Sequence, residues 1–387
     1  MKKQIHFFLL HFFKIHIILF LFPICFFFNG CSNIGQETQQ PVHSTINQYQ
    51  SIQGQWIVTD DGYYTLNNHY VYYSSNGEEW YPLCSNIECN HNDEHCNSFV
   101  GLSTKIFLYN NQIYYQPDSS DTFHLYCMNL DGSNHRKVKE ISFGTIDLSQ
   151  GYGYSWSING NYLLVEVSRY EENAKYNGIY YCSLNDTTSK ATCVVEGNTT
   201  AIPYMAKIVH DSIVMFSKKE GGETVLLYDI KSGKQVESTS FVTGFEGGGF
   251  AIKNDILYLF SSDIGFYQMD IHTGELTIEK EAQNRVELGV VFYDDTYAYL
   301  CNSTNTYVDS LNLVENSMRG LRIYDYDGNL LDTISYDSIT GHPTFAFSTE
   351  DKVFFTNGDD ITNVFPSYYI EKKYIGTNNL ILHNINQ

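Results

Sequence analysis

Three cysteines and a histidine lie close together in the stretch PLCSNIECNHNDEHC (82–96), spaced Cys84-x4-Cys89-x-His91-x4-Cys96, with His95 to spare. Three thiolates and one imidazole can complete a tetrahedral zinc site. Four protein ligands leave no open position, so such a zinc would be structural rather than catalytic. Two of the cysteines can instead close a disulfide, which export permits, leaving the third free. The third alternative is a set of reduced thiols in a reducing habitat. The spacing is neither that of a C-x2-C ribbon nor that of a retroviral-type knuckle. The segment has almost no apolar residues, so it has no core of its own and needs a staple.

The remaining cysteines point to one further cross-link. Cys182 and Cys193 flank YYCSLNDTTSKATCVV, and a hairpin centred between Thr187 and Thr188 sets them opposite each other. A non-hydrogen-bonded pair in that register brings the side chains within disulfide reach. Cys127 and Cys301 have no partner opposite. Outside residues 1–31 the chain holds seven cysteines, an odd number that cannot all pair within one molecule.

Enzyme motifs are missing. There is no G-x-S-x-G elbow, no H-E-x-x-H and no phosphate loop. Asp325-Tyr326-Asp327-Gly328-Asn329 looks like the start of a calcium loop, but Tyr336 stands where the twelfth-position carboxylate belongs, so turn chemistry is expected there. His124, His210, His272 and His342 are scattered among the repeats and could converge near an axis; His272, in a turn, is read as solvated and the other three as structural. The tyrosines admit a sharper idea, in which exposed rings stack on sugars beside an acidic surface. Otherwise they simply build strands.

Cys31 bears on where the protein works. Lys2 and Lys3 precede an apolar run through Phe28, which ends at Asn29-Gly30-Cys31. Charged start, apolar middle and small residue before a cut describe a signal peptide over residues 1–30. The cysteine at the cut resembles the lipobox of bacterial lipoproteins, although Phe28 and Asn29 depart from its usual Leu-(Ala/Ser) pair. The resemblance implies a diacylglyceryl group on Cys31 and a protein lipid-anchored on the extracytoplasmic face of the bacterial cell membrane. Residues 31–54 are polar and Gln- and Ser-rich, and read as a flexible stalk.

Composition narrows the partners. The formal charge of the whole chain is −21. Without Lys2, Lys3 and Lys14, 20 basic residues face 44 acidic ones, a formal −24. Such a surface repels phosphate backbones, so nucleic acid is excluded as a partner. Aromatic residues make up 16% of the chain, which favours strands over helices.

What positions these groups is a repeat. A turn of Asn, Asp or Gly followed by a short aromatic or β-branched strand recurs in NNHYVYY (67–73), NNQIYY (110–115), NGNYLLVEV (159–167), HDSIVMF (210–216), NDILYLF (254–260), DDTYAYL (294–300) and EDKVFF (350–355). Strand–turn–strand units such as LYCMNLDGSNHRKV and IYDYDGNLLDT follow. Gly132, Gly233, Gly274 and Gly328 supply the positive φ those turns need. Units of four short antiparallel strands at about 48 residues each are propeller blades. Residues 55–387 are therefore expected to form an all-β propeller of seven blades, the alternative being six and an irregular unit. The Cys/His loop at 84–96 falls where the first blade's last hairpin and outer strand belong.

SSNGEEW (74–80) looks like a shortened Asp-box hairpin without its Asp. The Tyr-rich strands with N-x-D-G turns resemble propeller lipoproteins of anaerobic Gram-positive bacteria, which carry a domain of unknown function related to TolB-like propellers. The PLC…C-x-H…C pattern is the most specific mark of that resemblance. The lipid anchor together with the missing catalytic constellation gives the expected function, a membrane-tethered extracellular binding or scaffold module for a glycan, peptide or protein. The alternative is a polysaccharide hydrolase or lyase on the same scaffold.

Overall fold

The computed structural model describes residues 54–385 apart from the segments 118–121, 145, 147, 149–151, 172–173, 187–189, 198–203, 210, 220–221, 238–249, 262–264, 282–289, 303–305, 309–312, 316–319, 337–338, 340 and 361–363. Cys31, His210 and the turn centre at Thr187 and Thr188 lie outside the described residues.

Two-residue polar turns set up the hairpins. Asn110 and Asn111 both have positive φ (48° and 54°), as do Asn254 and Asp255 (51° and 62°). This conformation matches the twist of the strands it joins, and asparagine adopts it at low cost. Seven four-stranded antiparallel sheets result. Their innermost strands are Trp56–Thr59, Ile106–Tyr109, Gly153–Asn159, Tyr204–Val209, Phe250–Lys253, Val290–Tyr293 and Pro343–Ser348. The sixth blade inserts a small hairpin, Thr306–Val308 with Leu313–Glu315, between its second and third strands.

A four-stranded sheet with two apolar faces must bury both. It does so against its neighbours. Seven apolar clusters lie at seven interfaces between successive blades. The cluster of Trp56, Val58, Ala346, Phe347 and Phe354 joins the last blade to the first, so the ring is closed. The protein is a seven-bladed β-propeller. The first and last blades each consist of their own consecutive strands, so no strand is exchanged across this seam. Aromatic contacts close it instead: Trp56 packs on Phe347 at 5.1 Å and Trp80 stacks on Phe365 at 5.8 Å.

One repeat reading needs correction. In six blades the Asn/Asp turn joins the first and second strands, but NNHYVYY joins Gly62–Asn67 to Tyr70–Ser74, the second and third. Its counterpart in the first blade is Asp60-Asp61. The same turn chemistry suits either hairpin, so the motif alone does not say which. SSNGEEW forms the last hairpin turn of that blade, where the Asn76 side-chain carbonyl accepts the N–H groups of Glu78 and Glu79.

Candidate metal centre

The Cys/His loop is spliced into the outer strand of the first blade. Tyr81 and Pro82 pair with Tyr73 and Tyr72. Leu83 donates its N–H to the Val71 carbonyl at 2.8 Å, but the Val71 N–H is taken by Ser98, also at 2.8 Å. Phe99 then bridges Tyr70, and Val100 bonds to His69. One strand has thus been interrupted after Leu83 and resumed at Ser98, with the loop thrown outward between them. Leu83 and Val100, the two feet, are buried in the core shared by the first two blades.

The second blade clamps the same neck. His135 reaches the Asn97 carbonyl at 2.8 Å with Nε2, while its Nδ1 meets the Tyr115 hydroxyl at 2.6 Å. Gly132, at φ 80°, lies so close that a Cβ there would stand 2.2 Å from the Leu83 carbonyl oxygen.

Inside the loop, ligand atoms of Cys84, Cys89, His91 and Cys96 all lie within 4.8 Å of one another. These four side chains can hold a metal ion. Thiolates around a tetrahedral zinc, with Zn–S bonds of about 2.3 Å, stand about 3.8 Å apart, a spacing this cluster accommodates. His91 Nδ1 lies 3.3 Å from Cys96 Sγ, and Ser98 Oγ lies 3.0 Å from the same sulfur. The Ser98 hydroxyl is placed to orient that ligand from the second layer. His91 has φ 53°, a conformation that costs a non-glycine residue energy and persists only where its surroundings hold it. Burial pushes the Cys96 thiol up to about 11. At Cys84 burial acts in the same sense, but hydrogen bonds from the backbone at Asn86 and Asn97 outweigh it and the thiol lies below its ordinary range. His95 is exposed and turned to Asp93 at 3.6 Å, outside the cluster.

The second cross-link fails on register. Cys193 stands opposite Tyr180 and Thr192 opposite Tyr181, two residues away from the pairing that sets Cys182 against Cys193. Both thiols are free, Cys182 buried and Cys193 exposed. The cause is a bulge at Ile179–Tyr180 and a tie to the second blade, where Ser142 bridges Lys190 and accepts the Ala191 N–H at 3.1 Å. Those contacts draw the outer strand out of symmetric hairpin register.

Of the four scattered histidines, the three described do not converge. His124 meets Glu140 at 3.4 Å, His272 meets Asp255 at 3.5 Å and His342 meets Asp359 at 2.6 Å, each within its own blade. Asp325 to Asn329 is a hairpin turn, with Asp325 accepting the Asn329 N–H at 2.7 Å and Gly328 at φ 73°.

Two features carry no sequence signal. Asp294 and Lys372, both buried, meet at 2.8 Å between the sixth and seventh blades. Tyr299 and Ser348 donate hydroxyls to the same carboxylate at 2.7 and 2.8 Å. A rim cavity of about 610 Å³ between the second and third blades is lined by Phe143, Tyr180, Thr192, Cys193 and Glu196. There the hydroxyls of Tyr176 and Tyr180 converge on Glu196.

No protein-family model matches the chain, and no curated protein matches it in sequence. Solved structures similar to it are propellers of low identity. BamB from Moraxella catarrhalis is 10% identical, with 80% of this chain and 95% of that one covered at a TM-score of 0.43. AztD from Citrobacter koseri is 12% identical over 84% of each chain, with a TM-score of 0.43. TolB from Acinetobacter baumannii is 13% identical over 69% of this chain and 61% of its own, with a TM-score of 0.38.

Proposed function

We propose that the protein is a propeller tethered by a lipid on Cys31 to the extracytoplasmic face of a bacterial membrane, where it serves as a binding or scaffold module. The leader pattern ending at Cys31 supports the tether, since two acyl chains hold a protein stably where one is marginal. The binding role rests on one observation. Where metal-ligating side chains converge among the described residues, they form the closed Cys84, Cys89, His91 and Cys96 set. Such a set stiffens a loop and offers no open position to a substrate. Its donors, three sulfurs and one imidazole, suit zinc better than magnesium or calcium. The partner in this reading is an extracellular protein, peptide or glycan.

Radiolabelled palmitate tests the tether: label is expected in the native chain and lost in Cys31→Ala, and label that survives the substitution overturns it. Native mass spectrometry of chain purified without oxygen or chelator tests the metal. One zinc is expected on the native chain and none on Cys84→Ser. A mass deficit of about two units without metal would make the loop a disulfide loop instead.

A further inference from the structure

The first blade is one-signed. Between Lys14 and Lys105 the chain contains no lysine or arginine. The spliced loop carries Glu88, Asp93 and Glu94, all exposed, and no lysine or arginine. Glu78 is answered by Lys352 of the last blade at 3.6 Å. Three thiolates and a neutral imidazole around a divalent ion would add one further negative charge.

Within this acidic field stands an apolar point. Ile87, between Cys84 and Cys89, is 99% exposed, and Tyr81 and Leu102, which flank the interrupted strand, are each 60% exposed. A single exposed isoleucine needs no explanation. Here three of the five large hydrophobic side chains exposed among the described residues fall within residues 81–102. The tip is also held: its feet are hydrogen-bonded to Val71 and His69, His135 clamps its neck, and four ligand side chains gather inside it. A fixed apolar anchor with a charged rim is the anatomy of an interface centre, because little side-chain or loop freedom is lost when it docks.

Charge decides among the occupants. A second copy would set acidic face against acidic face, and anionic lipid repels it likewise. We propose that the loop docks a protein whose matching surface is rich in lysine and arginine around an apolar socket, with Ile87 as the anchor. This rests on the reading of the loop as a cross-linked structural element.

The test uses the full chain in the cells that make it, with p-benzoylphenylalanine in place of Ile87. Irradiation is expected to give one discrete adduct whose cross-linked peptide, read by mass spectrometry, is rich in lysine and arginine. In isolated membranes its yield should fall at least about fivefold as salt is raised from about 0.05 to about 0.5 M. The same loss is expected on Glu88→Lys with Glu94→Lys, both side chains being exposed and tolerant of exchange. The photoreactive group in place of Ile381, itself 59% exposed, is the control. No adduct, an adduct shared with position 381, or a cross-link to a second copy, an acidic peptide or lipid overturns the proposal. Zinc content of the same preparation separates the two readings: a specific basic adduct without zinc keeps the docking face and removes the metal.

Discussion

Lys372 carries a buried charge contact across the join between the sixth and seventh blades. Its ammonium is buried against Asp294, whose carboxylate also accepts the N–H groups of Thr296 and Tyr297 at 2.8 Å. Removing the cation strands a desolvated carboxylate among neutral donors. Lys372→Met is therefore expected to cost about 3–5 kcal/mol in denaturant unfolding. Adding Asp294→Asn should recover part of that loss, because the uncompensated charge is then gone. Equal losses for the single and double variants would mean that packing, not charge, is what Lys372 supplies. Neither residue stands out in the sequence, since Asp294 and Asp295 look like one more repeat turn.

At the scale of the element, the spliced strand makes a prediction at Gly132. Its positive φ is needed for the turn, and its missing Cβ makes room for the Leu83 carbonyl. Gly160 also has positive φ, at 54°, but nothing lies within 4 Å of where a Cβ would stand. Gly160→Ala should cost about 1–2 kcal/mol from backbone strain alone. Gly132→Ala should exceed it by about 1 kcal/mol or more, because the neck must shift as well. Urea midpoints of the two variants check this, and equal midpoints would free the neck from the second blade. The Cys/His cluster was legible because its ligands are close in sequence. The interruption of the strand was not, because it is visible only in who takes the Val71 N–H.

For the whole molecule, closure rests on aromatic packing rather than on a shared strand. Trp56 is buried against Trp80 and Phe347. Trp56→Ala is expected to cost about 3–5 kcal/mol. Hydrogen exchange should accelerate first in Pro343–Ser348 and Lys352–Asn357, the strands across the seam; uniform acceleration around the ring would contradict this. Alkali should act on the interfaces that join the first four blades. Burial pushes the phenols of Tyr64, Tyr114 and Tyr181 up to about 12, and the Cys182 thiol up to about 11. Each of these groups holds its proton more tightly folded than unfolded. Their contribution to stability is complete below the unfolded values, near 9 for the thiol and 10 for the phenols, and is lost as pH rises through the folded ones. Unfolding midpoints should be level between about pH 7 and 9 and fall above that; a level profile to pH 11 would show these groups to be solvated.

Periodicity and turn chemistry are local, so four-stranded units and the positive-φ glycines at 132, 233, 274 and 328 follow from the order of residues alone; the choice of seven blades over six and an irregular unit rests on the seven sheets of the closed ring. The ligand set at 84–96 follows for the same reason: four donors so close in sequence need little else to meet. Long-range register does not follow. Ser142 pulls the strand bearing Cys193 away from its symmetric partner, and a two-residue slip is enough to separate two cysteines. The seam between Trp56 and Phe347, the pairing of Asp294 with Lys372 and the splice after Leu83 likewise join parts remote in sequence. Strand pairing within a blade, packing of consecutive blades and, for Trp56 and Phe347 alone, closure of the ring bring those partners within contact distance.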